Sequence, residues 1–392
     1  MAEWHIITCE YPPQLGGVSD YTYLLSSALA AAGDSVHVWC PTGSGDPTPA
    51  PGVVVHRELG RFNPGDFHRV GKKLDEFSAP RRLLVQWVPH GYGFRSMNLY
   101  FCNWLWSRAA FHRDRVQIMV HEPFLAFDHG SLKRTAAAAV HRAMTTVLLH
   151  AACHVWVAIP AWEVYLRPYA LGRHLSLAWL PVPSSVPAIV DSEGVSMARA
   201  AYAPAQGFLV GHFGTYGCPI EELLMALVPQ LLRRNSAGAV LLLGRGSTTQ
   251  RDAILRRHPD LATRVHATGA LEAADLSRHL SACDVLVQPY PDGVSSRRTT
   301  VMAGLALGLP IVTTVGDLTE ALWAKSDAVA LAPAGDLTSM VELTEQLLRD
   351  KTERSRLSTA AKALYEQCFA LGHVVAALRA PSGYCAQSSS HD

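Results

Sequence analysis

The sequence predicts an α/β protein built from two doubly wound parallel-sheet domains that face across a cleft. Three observations carry this reading. Short, nearly continuous apolar runs alternate with amphipathic stretches of helical period, the pattern of parallel strands covered on both faces. The alternation breaks at 181–187, where Pro181, Pro183 and Pro187 allow neither a helix nor a central strand to continue. It then restarts, and 392 residues, 49% of them apolar, suffice for two cores at about 100–200 residues per domain.

In the first half, strands are expected at 4–9, 35–40, 53–57, 83–88, 116–121, 155–159 and 175–180. Between them, 18–32, 66–78, 98–111 and 132–151 read as helices. The mixed stretch from 181 to 207 reads as a linker. In the second half, strands are expected at 208–213, 239–243, 264–267, 284–288, 311–314 and 328–331. Helices are expected at 219–234, 248–257, 273–282 and 297–307, with a further helical stretch to about 378. The domains are placed at 1–185 and 205–364, and the tail 387–392 reads as frayed. Ligands of doubly wound sheets lie beyond the carboxyl ends of the strands, so function is sought in the residues that follow each strand.

Composition excludes several classes. Lys plus Arg is 34 against 33 for Asp plus Glu, so there is no global basic field and nucleic acid is not an expected partner. The 18 histidines should raise the net charge below about pH 6.5. None of the eight cysteines forms a Cys-x-x-Cys pair, which speaks against zinc and against a thioredoxin-like site. Most of them read as small buried thiols, and a cytoplasmic protein is expected. The N-terminus has no basic segment followed by an apolar stretch. The longest apolar window, 136–162, holds His141, Arg142, His150, His154 and Pro160 and is too polar to span a membrane.

Five segments follow strands and could carry chemistry. After the first strand, Gly16 and Gly17 allow a ligand close to the backbone, and Ser19 or Asp20 could cap the next helix; an ordinary strand–helix turn explains the dipeptide as well. No Gly-x-Gly-x-x-Gly stands there, so a nicotinamide fingerprint is absent. After the fourth strand, Gln86, Trp87, His90, Tyr92 and Phe94 suit a sugar or apolar acceptor, or equally a core cluster beneath a loop. The apolar stretch 100–106 that follows reads by default as core, with membrane-surface contact as the minority reading. His121 and Glu122, fixed by Pro123, would face the cleft and could hold a hydroxyl or accept its proton. Gly214, Thr215, Tyr216 and Gly217 precede a helix that has Pro219 in its first turn, either a phosphate seat or a plain turn. Finally, Ser295, Ser296, Arg297, Arg298 and Thr299 open an Ala/Gly/Leu-rich helix. Hydroxyls, free amides and a guanidinium fork there would suit a diphosphate, or the segment is a capped helix with two solvated arginines.

Taken in order, several strings resemble GT-B glycosyltransferases, most closely the large retaining family four. They are 11–18 (Tyr-Pro-Pro-Gln-Leu-Gly-Gly-Val), 33–38, His121-Glu122-Pro123, 243–246, 282–289 and 308–312. The resemblance covers nearly the whole chain. It implies two Rossmann-like domains, with helices at about 365–385 packing back on the first. It also implies a nucleoside-diphosphate sugar donor, UDP-sugar favoured, held by the second domain, and a hydroxyl acceptor held by the first. Carried over by residue, Gly16 and Gly17 approach the donor diphosphate, along with Thr215, Tyr216 and the 295–299 segment. His121 and Glu122 are the catalytic pair; Gly244, Arg245, Gly269 and Leu271 line the nucleoside; Asp20, Gln86, His90 and Tyr92 meet the acceptor.

The sequence departs from the family pattern in two places. Ser295 and Ala303 stand where the family carries the two glutamates of Glu-x7-Glu, and Gly214–Gly217 replaces the usual Arg and Lys after the first strand of the second domain. A departing diphosphate gathers negative charge, so Arg297 and Arg298 are expected to replace the lost cations. The expected reaction is hexosyl transfer with retention, without a cofactor and without a metal. A catalytically silent sugar-nucleotide-binding protein is the alternative. A phosphorylase is disfavoured because none of the six lysines follows a strand in a glycine-rich setting. Oligomeric state, the donor base and sugar, and the acceptor are not readable from the sequence.

Overall fold

Seven of the apolar runs become the strands of one parallel sheet. They are β1 (Glu3–Ile7), β2 (Ser35–Trp39), β3 (Val53–His56), β4 (Arg82–Trp87), β5 (Arg115–Val120), β6 (Ala152–Val157) and β7 (Leu177–Trp179). The computed structural model describes residues 1–380 except 44, 47, 129 and 204–206. The expected frayed tail, Cys385 and residues 381–385 of the expected returning helices therefore lie outside the described residues. The strand order is β3-β2-β1-β4-β5-β6-β7, every neighbouring pair parallel. Helices α1 (Gly17–Ala31), α2 (Pro64–Leu74), α3 (Leu99–Phe111), α4 (Leu132–Ala151) and α5 (Ala161–Leu166) form the crossovers.

The central strands β1, β4 and β5 are buried on both faces, as their lack of alternation demands, while the edge strands β3 and β7 are only half-buried. Trp4, Ile6 and Ile7 of β1 are wholly inaccessible, as are Leu83 and Val85 of β4. Each such side chain contributes about 1.5–3 kcal/mol through burial, which drives the sheet to form inside rather than at the surface. The amino ends of β4 and β5 are tied by a buried ion network. Asp114 accepts from Arg81 Nε and Arg108 Nε, both at 2.5 Å, and Asp75 adds contacts to the two guanidinium groups at 3.1 and 2.9 Å.

The second unit repeats the plan in six parallel strands. These are β8 (Leu209–Phe213), β9 (Ala239–Leu243), β10 (Val265–Ala267), β11 (Val285–Gln288), β12 (Ile311–Val315) and β13 (Ala330–Pro333), in the order β10-β9-β8-β11-β12-β13. Its helices are α6 (Ser192–Tyr202), α7 (Cys218–Arg234), α8 (Ser247–Arg257), α9 (Ala273–Ser281), α10 (Thr299–Ala306), α11 (Ala321–Ser326), α12 (Leu337–Arg349) and α13 (Lys351–Leu364). All five residues of β9 are buried, and Val240 and Leu242 share a core cluster with Leu224, Leu227, Val285 and Val312.

The chain divides between Pro181 and Val182, and again between Ala370 and Leu371. The stretch expected to be a linker therefore belongs to the second unit and contains α6. Asp191 caps that helix through the Gly194 amide and pairs with Arg278 of α9. Arg199 binds Asp284 and the Ala282 carbonyl. These polar anchors have no hydrophobic period, which is why the segment reads as irregular in the sequence. At the other boundary, Tyr365 accepts the Ser184 amide and Phe369 stacks on Trp323, after which α14 (Leu371–Arg379) joins the first unit. There it packs on α1, and Arg379 pairs with Asp34 at 3.0 Å. No described helix is long and apolar enough to cross a membrane.

Candidate active site

In the first sheet the connections leave β1 and β4 toward opposite sides, so the loops that follow these two adjacent strands part. The fifth strand brings His121 to the same carboxyl edge. Its Nε2 lies 2.8 Å from Gln86 Oε1, and the Tyr21 ring meets it edge-on at 5.0 Å. Burial lowers the imidazole pKa to about 4, so the ring is neutral at pH 7. A neutral ring that donates Nε2–H to an amide oxygen keeps a lone pair on Nδ1, which has no partner among the described residues. His121 thus presents an acceptor atom at the sheet edge.

The neighbouring assignments divide. Glu122 and His90 are exposed and approach each other at 3.7 Å, and Asp20 is exposed in the first turn of α1. Gln86 was expected to meet an acceptor. It is instead fully inaccessible and its side chain holds His121, so it orients the imidazole. Tyr92 is corrected too. It is wholly buried, stacked on Phe101 and Trp87, and its hydroxyl is spent on the Gln86 carbonyl at 2.5 Å. An apolar ring whose hydroxyl has a partner inside gains by burial, so Tyr92 supports the loop from beneath.

The Gly16–Gly17 turn also differs from expectation. Helix α1 starts at Gly17, with Gly16 as its N-cap and no side-chain cap from Ser19 or Asp20. Ser19 Oγ donates to the Gln14 carbonyl instead. The amides of Val18 and Ser19 donate to Glu10 Oε1, at 3.1 and 3.0 Å. The sequence reading missed Glu10; its signal is an acidic residue between a strand end and a Gly-Gly helix start.

In the second sheet the connections diverge at β8 and β11. The loop after β8 leaves four consecutive amides, Thr215 to Cys218, without an acceptor among the described residues. Gly244, at φ +100°, follows β9; a Cβ there would lie 2.5 Å from the Gly214 carbonyl, so only glycine lets the two loops touch. Beneath them His212 donates Nδ1–H to the Val287 carbonyl at 2.8 Å, and burial lowers its pKa to about 4. Arg245 is exposed, with no ion pair or hydrogen bond among the described residues. Gly269, in the left-handed region, donates its amide to Ser247 Oγ, and Leu271 is half-buried beyond it.

The segment after β11 is more tightly spoken for than expected. Arg297 and Arg298 both pair with Asp292, and Arg298 also lies 4.4 Å over the Tyr290 ring. Asp292 thus engages both guanidinium groups, which were expected either to offer a fork to a diphosphate or to be solvated. Ser296 gives both its amide and its hydroxyl to Glu320. Tyr216 is corrected as well: its ring is buried and its hydroxyl donates to the Leu243 and His212 carbonyls, which leaves only its amide for a ligand. Ser295 Oγ is wholly buried and has no partner, and the amides of Thr299 and Thr300 at the start of α10 are free among the described residues. Among these residues no group of three or more His, Cys, Asp or Glu is placed to hold a metal ion.

Residues 208–350 match the family described as glycosyl transferases group 1. No curated protein sequence matches the chain. Among solved structures, sucrose-phosphate synthase from Thermosynechococcus elongatus is similar over 96% of this chain and 97% of its own, with 17% identity and a TM-score of 0.72. HepE from Anabaena, in complex with UDP-glucose, aligns over 96% and 98%, with 16% identity and a TM-score of 0.66. A glycosyltransferase from Rickettsia africae aligns over 96% and 97%, with 10% identity and a TM-score of 0.71. The two parallel-sheet units thus have the GT-B fold of these structures, and residues 208–350 match glycosyl transferases group 1.

Proposed function

We propose that this protein moves a hexosyl group from a nucleoside-diphosphate sugar, UDP-sugar first, to a hydroxyl acceptor, with retention and without a metal. The observation that carries the reading is the supply of unsatisfied donors at one edge of the second sheet. Two groups of free amides, at Thr215–Cys218 and Thr299–Thr300, accompany Arg245 and the net positive Arg297–Arg298–Asp292 cluster. As the bond from the anomeric carbon to the diphosphate breaks, charge builds on the leaving oxygens, and fixed donors of this kind stabilise it without reorganising. Gly244, Arg245, Gly269 and Leu271 are assigned to the nucleoside. UDP is favoured because the HepE neighbour is a complex with UDP-glucose.

In the first unit His121 Nδ1 is assigned to a hydroxyl of the reacting sugar. Glu122, His90 and Asp20 are assigned to the acceptor side. Exposed aromatic residues on α3, namely Tyr100, Trp106 and Phe111, support residence at the inner face of a membrane by a cytoplasmic protein. The silent alternative rests on the resemblance, which puts Ser295 and Ala303 where the family carries its two glutamates.

Calorimetric titration with UDP, GDP and their sugars tests the reading. UDP at ~100 times its Kd should stabilise the fold by about 2.7 kcal/mol. The Arg298→Ala variant should bind UDP roughly tenfold to a hundredfold more weakly, the worth of a hydrogen bond to a charged group. Equal UDP affinity in wild type and variant would remove the diphosphate assignment. UDP-sugar binding without transfer to any acceptor, and without slow hydrolysis, would favour the silent alternative.

A further inference from the structure

We infer that the acceptor is an amphiphilic anion, a hydroxyl-bearing group carried on a hydrocarbon chain through a phosphate, and that the loops after β4 and β5 of the first unit hold its chain. The inference rests on the acceptor half of the proposed function and names its chemical class.

The loop after β4 is built to display apolar side chains. Gly93, Phe94, Arg95 and Ser96 are four consecutive residues in the left-handed region, at φ +74°, +48°, +53° and +70°. That conformation is costly for any residue but glycine. The turn is held in this shape from below. A Cβ at Gly93 would lie 3.1 Å from the Arg61 carbonyl, and the buried Asn98 amide donates to the Phe62 and Tyr92 carbonyls at 2.9 and 2.7 Å. Phe94 and Met97 are thereby kept at the surface, 47% and 37% exposed.

The loop after β5 repeats the arrangement. Arg142 of α4 donates to the Leu125 carbonyl at 3.0 Å and lies over the Phe124 and Phe127 rings at 4.4 and 3.7 Å. The Leu125 amide donates to His141 Nδ1, yet the Leu125 and Phe127 side chains remain exposed. The two loops adjoin, because Trp87 Nε1 donates to the Pro123 carbonyl and His90 approaches Glu122 at 3.7 Å. The Tyr100 ring lies 6.0 Å from that of Phe94 and opens the exposed face of α3. That face continues through Asn103, Trp106, Ala110 and Phe111, none of them charged, along about 16 Å of helix. Among the described residues the second unit exposes only Val190, Met197 and Val315 of comparable apolar size, so the concentration belongs to this side of the first unit.

Charge decides between a purely apolar ligand and an amphiphilic one. Arg95, in the strained turn, and Lys133, in the first turn of α4, are exposed and have no ion pair or hydrogen bond among the described residues. The acids of the second loop are engaged, Glu122 with His90 and Asp128 with Arg134 at 3.1 Å. An apolar surface flanked by uncompensated cations complements a hydrocarbon chain that bears an anionic group. His121 follows β5 at the same carboxyl edge, which is where the hydroxyl at the polar end is needed.

Titration of dodecyl phosphate, held below its micellar concentration and without nucleotide, tests the inference. The comparisons are inorganic phosphate, dodecyl maltoside, and phosphatidylcholine vesicles with or without phosphatidylglycerol. Dodecyl phosphate should bind at least about tenfold more tightly than inorganic phosphate, which lacks the chain, and than dodecyl maltoside, which lacks the charge. Phe94→Ser with Met97→Ser, and separately Arg95→Gln with Lys133→Gln, should each weaken it by about tenfold or more at an unchanged thermal midpoint. The wild-type comparison reads chain and charge even if a variant fails to fold. Equal binding of dodecyl phosphate and either control, or binding untouched in either double variant, would overturn the inference. So would binding to anionic vesicles alone, which assigns the surface to bulk membrane. The donor reading is judged separately, by UDP binding to wild type.

Discussion

Lowering the pH from about 7.5 to about 5 should destabilise both units through histidines that are buried uncharged. His5 in the first unit is wholly inaccessible, and its pKa is lowered to about 3 by burial, then by His37, His56, Arg81 and Arg108. His212 in the second unit is lowered to about 4 by burial, with its bond to the Val287 carbonyl acting in the opposite direction. An unfolded histidine titrates near 6.5. Because the folded values are depressed, the unfolded chain binds more protons below that point. The stabilisation is complete above about pH 6.5 and is lost as the pH falls toward 4. At about pH 5 each group costs its unit about 2 kcal/mol, from the proton taken up only by the unfolded chain. Against a usual total of about 5–15 kcal/mol this is a large fraction. His154 and His121, both lowered to about 4 by burial, act in the same direction. Urea unfolding followed by tryptophan fluorescence at the two pH values should show the loss, and His5→Asn and His212→Asn should each shed part of the pH dependence. Equal stability at both pH values, or a pH dependence untouched in both variants, would refute the reasoning.

Two further outcomes are expected. Asp114→Asn leaves Arg81 and Arg108 buried beside a neutral amide, so the first unit should lose about 3–5 kcal/mol, read as a fall in thermal midpoint. Gln86→Leu removes the acceptor that fixes the His121 ring. Transfer should slow by about tenfold or more at unchanged donor affinity, and 15N shifts of His121 should show a mixture of tautomers.

The fold was legible because parallel strands buried on both faces announce themselves as unbroken apolar runs, and both sheets formed where such runs stood. The same lack of alternation hid side-chain direction. Nothing in the string around Gln86 and Tyr92 says which of them looks into the core, and both are inaccessible. Tyr216 misled for a related reason, since a tyrosine at φ +57° in a glycine-rich loop folds its ring back under the strand ends. Ser295, Arg297 and Arg298 stood out in the loop after β11 as hydroxyl and guanidinium groups at a helix start. The neutralising part of Asp292 was not, because a five-residue reach within one loop follows no period. Glu10 escaped notice because a carboxylate can cap a helix from outside the usual N-cap position when a turn brings it back. The 181–207 stretch failed as a linker because Asp191 and Arg199 attach α6 through ion pairs, which leave no hydrophobic stripe to read.

The return of α14 to α1 has a consequence for how the protein is made. The first unit is assembled from residues 1–181 together with a helix that begins at Leu371. During synthesis the ribosome must deliver the whole intervening unit before Arg379 can reach Asp34 and α14 can cover α1. The unit translated first is thus finished last, while the inserted one is contiguous and able to close earlier.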